Sequence, residues 1–302
     1  MMLYDNNVVI QNKIGSSSDD ITNIYKLNKF KNRINNIFLK GINNKIIKFC
    51  NKGKYLILGG FYDGKLGLID LFEKKESKRE KIYPFSEEEP IICIKFSIDE
   101  KYLFLGNSVG SIAIYMINWE TKDFILYKKL FNQKKSISDI DINFDLNIFS
   151  TSSIDGNINL YTWPLCKLFR VIKCPIDLKQ YNKCTNIFLS ESSLPSVIII
   201  IEKEMEKEIL SYSINGEFLI SRKENKNNMS NIIKFKNLNT YEYLAYFIGS
   251  ELKVLNLPSL SIHLKITMQK NIFDVKFIAI NKDLNIIYGI NEDGTQIQAI
   301  KS

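Results

Sequence analysis

Gly59, Gly64 and Lys65, in the stretch GGFYDGKLGLID (59–70), match G-x-x-x-x-G-K, the opening of a loop that cradles nucleotide phosphates. Such a loop needs a Ser or Thr hydroxyl after the Lys to hold Mg²⁺, and it must open a helix whose first amides face the phosphates. Position 66 is Leu, and Leu66 to Asp70 is a β-leaning run interrupted by Gly67. The residues fit strand, turn, strand instead, with Asp63-Gly64 in the turn. Other routes to catalysis are equally poor. His263 is the only histidine, at an alternating position of SLSIHLK, which excludes a multi-histidine metal site, and nothing near it resembles a nucleophile elbow. Carboxylates crowd into solvated runs, Glu87 to Glu89 and the Lys-interleaved stretch from Glu202 to Glu208. Asp139 and Asp141 share a strand face with Ile140 and Ile142 opposite, which is sheet alternation and not an acid–base pair. No enzyme activity, catalytic residue, metal ligand or cofactor is expected.

The glycine turn recurs. Gly64, Gly110, Gly156, Gly249 and Gly294 lie 46, 46, 93 and 45 residues apart. The double interval predicts a turn without this Gly near 202, inside VIIIIEKEMEKEILSYS, and one further step back from Gly64 reaches Ser18. The flanks repeat as well. An apolar segment (IIKF 46–49, CIKF 93–96, DIDI 139–142, IIKF 232–235, DVKF 274–277) precedes a strand ending in small residues (YLILGG, YLFLGN, IFSTSS, NIIYGI). An alternating third strand (LGLID, SIAIY, NINLY, ELKVL) follows the turn, and a fourth comes after it (EKIYPF, FILYKKL, KLFRVIK, EFLISR, SIHLKIT). Four short strands per 40–50 residues is the pattern of a β-propeller blade. The sequence therefore predicts an all-β, seven-bladed propeller, one domain over 1–302, with blades near 1–40, 43–85, 90–131, 136–174, 183–223, 231–267 and 271–302.

At 302 residues, 35.1 kDa and 45% hydrophobic content, the chain can bury one such core. The longest apolar run, Val197 to Ile201, is too short to cross a bilayer, and no leader pattern precedes it. Cys50, Cys93, Cys166, Cys174 and Cys184 form no C-x-x-C pair and read as buried free thiols, which points to a cytoplasmic chain. The net charge is +8, yet only Arg33, Arg79, Arg170 and Arg222 among 41 basic residues carry the planar fork that base and phosphate readout favour. The charge argues against nucleic acid as main partner and allows weak contact with an anionic membrane surface.

The repeats resemble WD40 repeats in degenerate form. Ile69-Asp70 is the nearest copy of the family's Trp-Asp pair, which elsewhere has become Tyr115-Met116, Tyr161-Thr162 and Leu255-Asn256. Phe169-Arg170-Val171-Ile172 lacks the second Arg and the Gly by which some propellers bind phosphoinositides. From Ile46 onward, several segments are similar, in order, to the propeller that closes BEACH-domain (beige/neurobeachin-like) proteins. These are LILGGFYDGKLGLIDL (56–71), YSINGEFLIS (212–221) with Asn215-Gly216 as a type I′ turn, GSELKVLNLPSLSI (249–262), and the last blade (272–300). That resemblance implies a peripheral scaffold in vesicle trafficking that binds other proteins or peptides. The alternative is a free-standing WD-repeat adaptor of a nuclear or RNA-associated complex.

In a propeller the turns between second and third strands gather at one mouth of the channel. The side chains expected to meet a partner there are Tyr62, Lys65, Ser108, Ser111, Ile154, Asn157, Ser250, Glu292 and Thr295. Asp63, Gly64, Gly110, Asp155, Gly156, Gly249, Asp293 and Gly294 are expected to shape the turns. Blade one keeps only Met1 to Tyr4 as its first strand and blade seven stops at its third, so either a closing strand from a larger polypeptide or imperfect closure by Met1 to Asn7 is expected.

Overall fold

The computed structural model describes residues 2–4, 7–12, 19–26, 33–40, 42–51, 54–61, 64–70, 80–84, 89–175, 182–226, 229–236, 241–267, 277–281, 286–290 and 297–301. Every regular element among them is a β-strand, which follows from short Ile-, Val-, Phe- and Tyr-rich runs broken by Gly, Asn, Asp and Lys. None of the described residues forms a helix long and apolar enough to cross a membrane.

The strands form seven antiparallel sheets, each a meander in which sequence neighbours are spatial neighbours. The first contains β1 (Met2–Tyr4), β2 (Asn7–Asn12), β3 (Asp19–Lys26) and β4 (Arg33–Lys40), and the second β5 (Ile42–Cys50), β6 (Tyr55–Phe61), β7 (Lys65–Asp70) and β8 (Glu80–Pro84). The third holds β9 (Ile91–Phe96), β10 (Tyr102–Asn107), β11 (Ile112–Asn118) and β12 (Asp123–Leu130). The fourth holds β13 (Ile137–Asn143), β14 (Ile148–Ser153), β15 (Asn157–Thr162) and β16 (Leu168–Lys173). The fifth is β17 (Lys183–Ser190), β18 (Ser196–Glu202), β19 (Glu206–Ser213) and β20 (Phe218–Asn225). The sixth is β21 (Ile233–Lys236), β22 (Glu242–Ile248), β23 (Glu251–Asn256) and β24 (Ile262–Thr267). The last has three strands, β25 (Phe277–Asn281), β26 (Ile286–Ile290) and β27 (Ile297–Lys301).

Two compact units divide the chain, Met1–Asp139 and Ile140–Ser302. In the first, Tyr55, Ile57, Leu66 and Leu68 of the second sheet pack on Ile91, Ile94, Leu103 and Leu105 of the third. In the second, Ile158, Leu160 and Ile172 of the fourth sheet meet Ile187, Leu189, Val197 and Ile199 of the fifth. The opposite face of β18, Ile198 and Ile200, meets Leu244, Tyr246 and Leu255 of the sixth. β18 is therefore apolar on both faces, as its VIIII run shows, whereas β14 is buried along its whole length with Ser150, Thr151, Ser152 and Ser153 in it. All five cysteines are buried and free, and burial pushes the thiols of Cys50, Cys93 and Cys174 well above their ordinary pKa.

Gly64, Gly110, Gly156, Gly216 and Gly249 all have positive φ. The turns at Gly110, Gly156 and Gly216 are built alike, whereas Gly249 opens a two-residue loop in which Ile248 pairs with Glu251. At the β10–β11 turn, Gly110 N–H donates to Asn107 C=O (3.4 Å) and Asn107 N–H to Ser111 C=O (3.1 Å). At the β19–β20 turn, Gly216 N–H donates to Ser213 C=O and Ser213 N–H to Glu217 C=O. This is a three-residue hairpin loop closed by one left-handed Gly. Asn215 does not have positive φ, so Asn215-Gly216 is not the type I′ turn expected from its sequence: the Gly alone supplies the left-handed step. Asp155, likewise, is not left-handed; its carboxylate accepts from Asn157 N–H and Nδ2 instead.

One regularity was not visible in the sequence. In five of the six four-stranded sheets, the fourth strand carries a bulge against its neighbour, which leaves Ile34, Tyr127, Phe169, Leu219 or His263 without an opposite number. A bulge adds a residue to one strand and re-aims its side chain. Tyr127 meets the ring of Tyr102 edge-on, with centroids 5.8 Å apart, and His263 meets Tyr243 at 4.6 Å. Tyr102 opens β10 and is paired with Met116; Tyr243 lies near the start of β22 and is paired with Asn256. The single histidine is thus a packing residue of the sixth sheet.

Candidate functional site

Each unit presents its own set of turns. In the unit Met1–Asp139, Lys65 is exposed beside Gly64, and Ser108 lies half-buried with its hydroxyl donating to Glu89 Oε2 (2.8 Å). Ser111 is only 6% exposed, and its N–H donates to Asn107 Oδ1 (2.8 Å), so it holds the turn and does not face a partner. What faces outward is Val109, 50% exposed, and Phe131, 70% exposed, neither of which the sequence pattern singled out. Lys129 Nζ lies over the Phe131 ring at 5.3 Å. The loop after β12 is tied to the turn by backbone: a side chain on Gly110 would meet Gln133 C=O oxygen at 2.5 Å and Lys135 C=O oxygen at 2.7 Å.

In the unit Ile140–Ser302, Ile154 is exposed at the β14–β15 turn, while Asn157 and Ser250 are half-buried. The turn expected near 202 is there, closed by Lys203 N–H donating to Glu206 C=O (2.9 Å). Its tip exposes Met205, and the carboxylates of Glu208 and Glu206 hold the Lys203 ammonium above its ordinary pKa. The apolar tip hides in sequence within a charged run. Tyr62, Asp63, Glu292, Asp293, Gly294 and Thr295 lie outside the described residues.

Buried ionic groups cluster on the first strands of several sheets and their neighbours. On β5, burial and the neighbouring charge of Lys95 push the half-buried Lys48 ammonium below its ordinary pKa, and Asp139 partly offsets this. On the other side of the chain division, Lys234 of β21 is surrounded. Its ammonium lies 3.7 Å from Asp141 Oδ2 and 3.5 Å from Glu242 Oε1, and it donates to Leu189 C=O. Asp141 Oδ2 accepts from Leu189 N–H (2.8 Å), and Glu242 Oε2 from Ser190 Oγ (2.6 Å) and Glu191 N–H (2.7 Å). Three consecutive sheets are thereby stapled through β13, β17, β21 and β22. Asp141, noted in sequence only for alternation, is one of the staple's two acids.

A second staple joins the fifth and sixth sheets. Glu224 of β20 accepts from Arg222 Nε (2.6 Å), Tyr246 Oη (2.8 Å) and Lys253 Nζ (2.8 Å). Burial alone would raise the pKa of this carboxyl, but the Lys253, Arg222 and Tyr246 donors outweigh it and hold it below the ordinary carboxylate range. A carboxyl depressed in the folded state stabilises it above the unfolded pKa of about 4.3, and that stability drains as pH falls toward the lower folded value. Glu224→Gln should therefore cost about 2 kcal/mol at pH 7 and show a shallower loss on acidification than the native chain. Thermal melts from pH 7 to pH 3 check both; parallel curves would remove Glu224 from the account.

No group of three or more His, Cys, Asp or Glu among the described residues could hold a metal ion. What the turns offer chemically is non-covalent: apolar tips, lysines and hydroxyls on short, closed loops. Comparison with known protein families finds no match, and comparison with curated proteins finds none either.

Proposed function

We propose that this chain is a seven-bladed WD-type propeller that works as a docking platform for proteins or peptides, without catalysis of its own. The observation that carries the reading is the run of seven meander sheets in chain order, with a left-handed Gly between second and third strands at Gly64, Gly110, Gly156 and Gly249. Seven such units suit a ring whose turns crown one mouth. Its context is the C-terminal module of a BEACH-type trafficking protein, supported by the order of the resembling segments, which here form the β6–β7, β19–β20 and β23–β24 hairpins.

The test is the size of the native polypeptide, blotted with an antibody raised against residues 43–302. The expected result is a band far above 35.1 kDa whose upstream sequence contains a BEACH domain. A single band at 35.1 kDa would overturn the module reading. The reading would then pass to a free-standing adaptor of a nuclear or RNA-associated complex, recognised by an RNA affinity that falls steeply with salt.

A further inference from the structure

The loop that follows β12 is fixed by backbone contact, yet it carries the most exposed aromatic side chain among the described residues. Gln133 and Lys135 carbonyls press on Gly110, and Gln133 itself is buried, while Phe131, Lys134 and Lys135 face outward. Ile112 pairs with Leu130 across β11 and β12, which brings Phe131 beside the end of the Val109-bearing turn. Lys128, Lys129, Lys134 and Lys135 take part in no ion pair among the described residues, whereas basic residues of other fourth strands do: Arg222 with Glu224, Lys265 with Glu251. The patch is thus an exposed Phe and Val ringed by four lysines without matching carboxylates, on a backbone ordered in advance. Such pre-ordering removes much of the entropic cost of binding.

We propose that this surface, Val109, Phe131 and the lysines at 128, 129, 134 and 135, docks an acidic peptide segment with an aromatic or aliphatic anchor. The inference rests on the docking-platform reading and names one partner chemistry for it. The apolar anchor would pack on Phe131 and Val109, and Asp or Glu residues on either side would meet the lysines. A partner peptide fits better than an anionic bilayer. Glu89, held by Ser108 at the edge of the patch, opposes a uniformly negative surface. Two apolar side chains also offer far less insertion than a single acyl chain, which itself binds a membrane only marginally.

The experiment is selection of a displayed library of random twelve-residue peptides on the full chain, with vesicles containing phosphatidylserine as a parallel probe. Selected peptides should carry Asp or Glu around an aromatic or aliphatic residue. Phe131→Ser and Lys134→Glu/Lys135→Glu should each bind them at least tenfold more weakly, with melting curves unchanged because these side chains are exposed. Ile154→Asp, on the other unit, should bind them as the native chain does. Peptides lost in Ile154→Asp but retained in Phe131→Ser would overturn this site and leave the platform standing. Vesicle binding abolished by the Phe131 and lysine variants, with no acidic peptide selected, would overturn the peptide in favour of lipid. No binding to either probe would overturn the site and count against the platform as well.

Discussion

Gly110→Ala should lower stability by about 3 kcal/mol or more, among the largest effects of any single methyl added to this chain. Two costs combine. The residue has φ +90°, where a Cβ is strained, and the new Cβ would lie 2.5, 2.7 and 2.8 Å from the Gln133 and Lys135 carbonyl oxygens and the Gln133 carbonyl carbon. All three are backbone atoms, so no flexible side chain can swing aside. Gly216 provides the comparison, because its φ is nearly the same at +87° but its nearest neighbours, Arg170 Cδ and Ile172 Cγ1, lie at 3.6 and 3.7 Å. Gly216→Ala should therefore cost only about 1 kcal/mol, the conformational part alone. Urea denaturation of both variants separates the two costs. Equal losses would mean that the Gly110 loop yields easily, and the pre-ordering of Phe131 would fall with it.

The second large effect is expected at Lys234. Lys234→Met keeps the aliphatic stem but takes the ammonium away from the buried carboxylates of Asp141 and Glu242, and should cost about 3–5 kcal/mol. Glu242 retains the Ser190 hydroxyl and the Glu191 amide, and Asp141 the Leu189 amide, so the backbone donors survive while the neutralising charge does not. Adding Glu242→Gln to Lys234→Met removes the Glu242 charge that has lost its ammonium and should restore a substantial part of the loss. The measurement is a double-mutant cycle by urea denaturation at pH 7. Strict additivity of the two substitutions would show that the ammonium and the Glu242 carboxylate do not act as a unit.

The turns were legible because a left-handed position demands Gly whatever surrounds it: Gly64, Gly110, Gly156 and Gly249 could be found by counting. The period even located the β18–β19 turn, which has no Gly, although β18 and β19 reach further into the charged run than composition suggests, to Glu202 and from Glu206. The Lys234 staple was not legible. A Lys in IIKF looks like any solvated lysine until the fold sets two acids beside it, one 93 residues before it in the chain. Phe131 was missed for the opposite reason. After the apolar run FILYKKL it reads as one more core residue, and only the loop's attachment to Gly110 turns it outward. The turn geometry at Asn215-Gly216 went wrong because Asn-Gly permits two left-handed residues but does not require them.

The bulges in the fourth strands bear on whether copies of this chain can add to its sheet edges. Ile125, Leu126, Leu168, Val171, Phe218 and Ile220 are all exposed on fourth strands, an apolar edge that in a flat sheet would invite a neighbour to add itself and continue. At Tyr127, Phe169 and Leu219, however, the ladder skips a residue. A regular strand laid along such an edge falls out of step after three or four residues, and its side chains change faces there. These edges can therefore remain greasy without becoming a template for stacking, because what protects them is rhythm and not polarity.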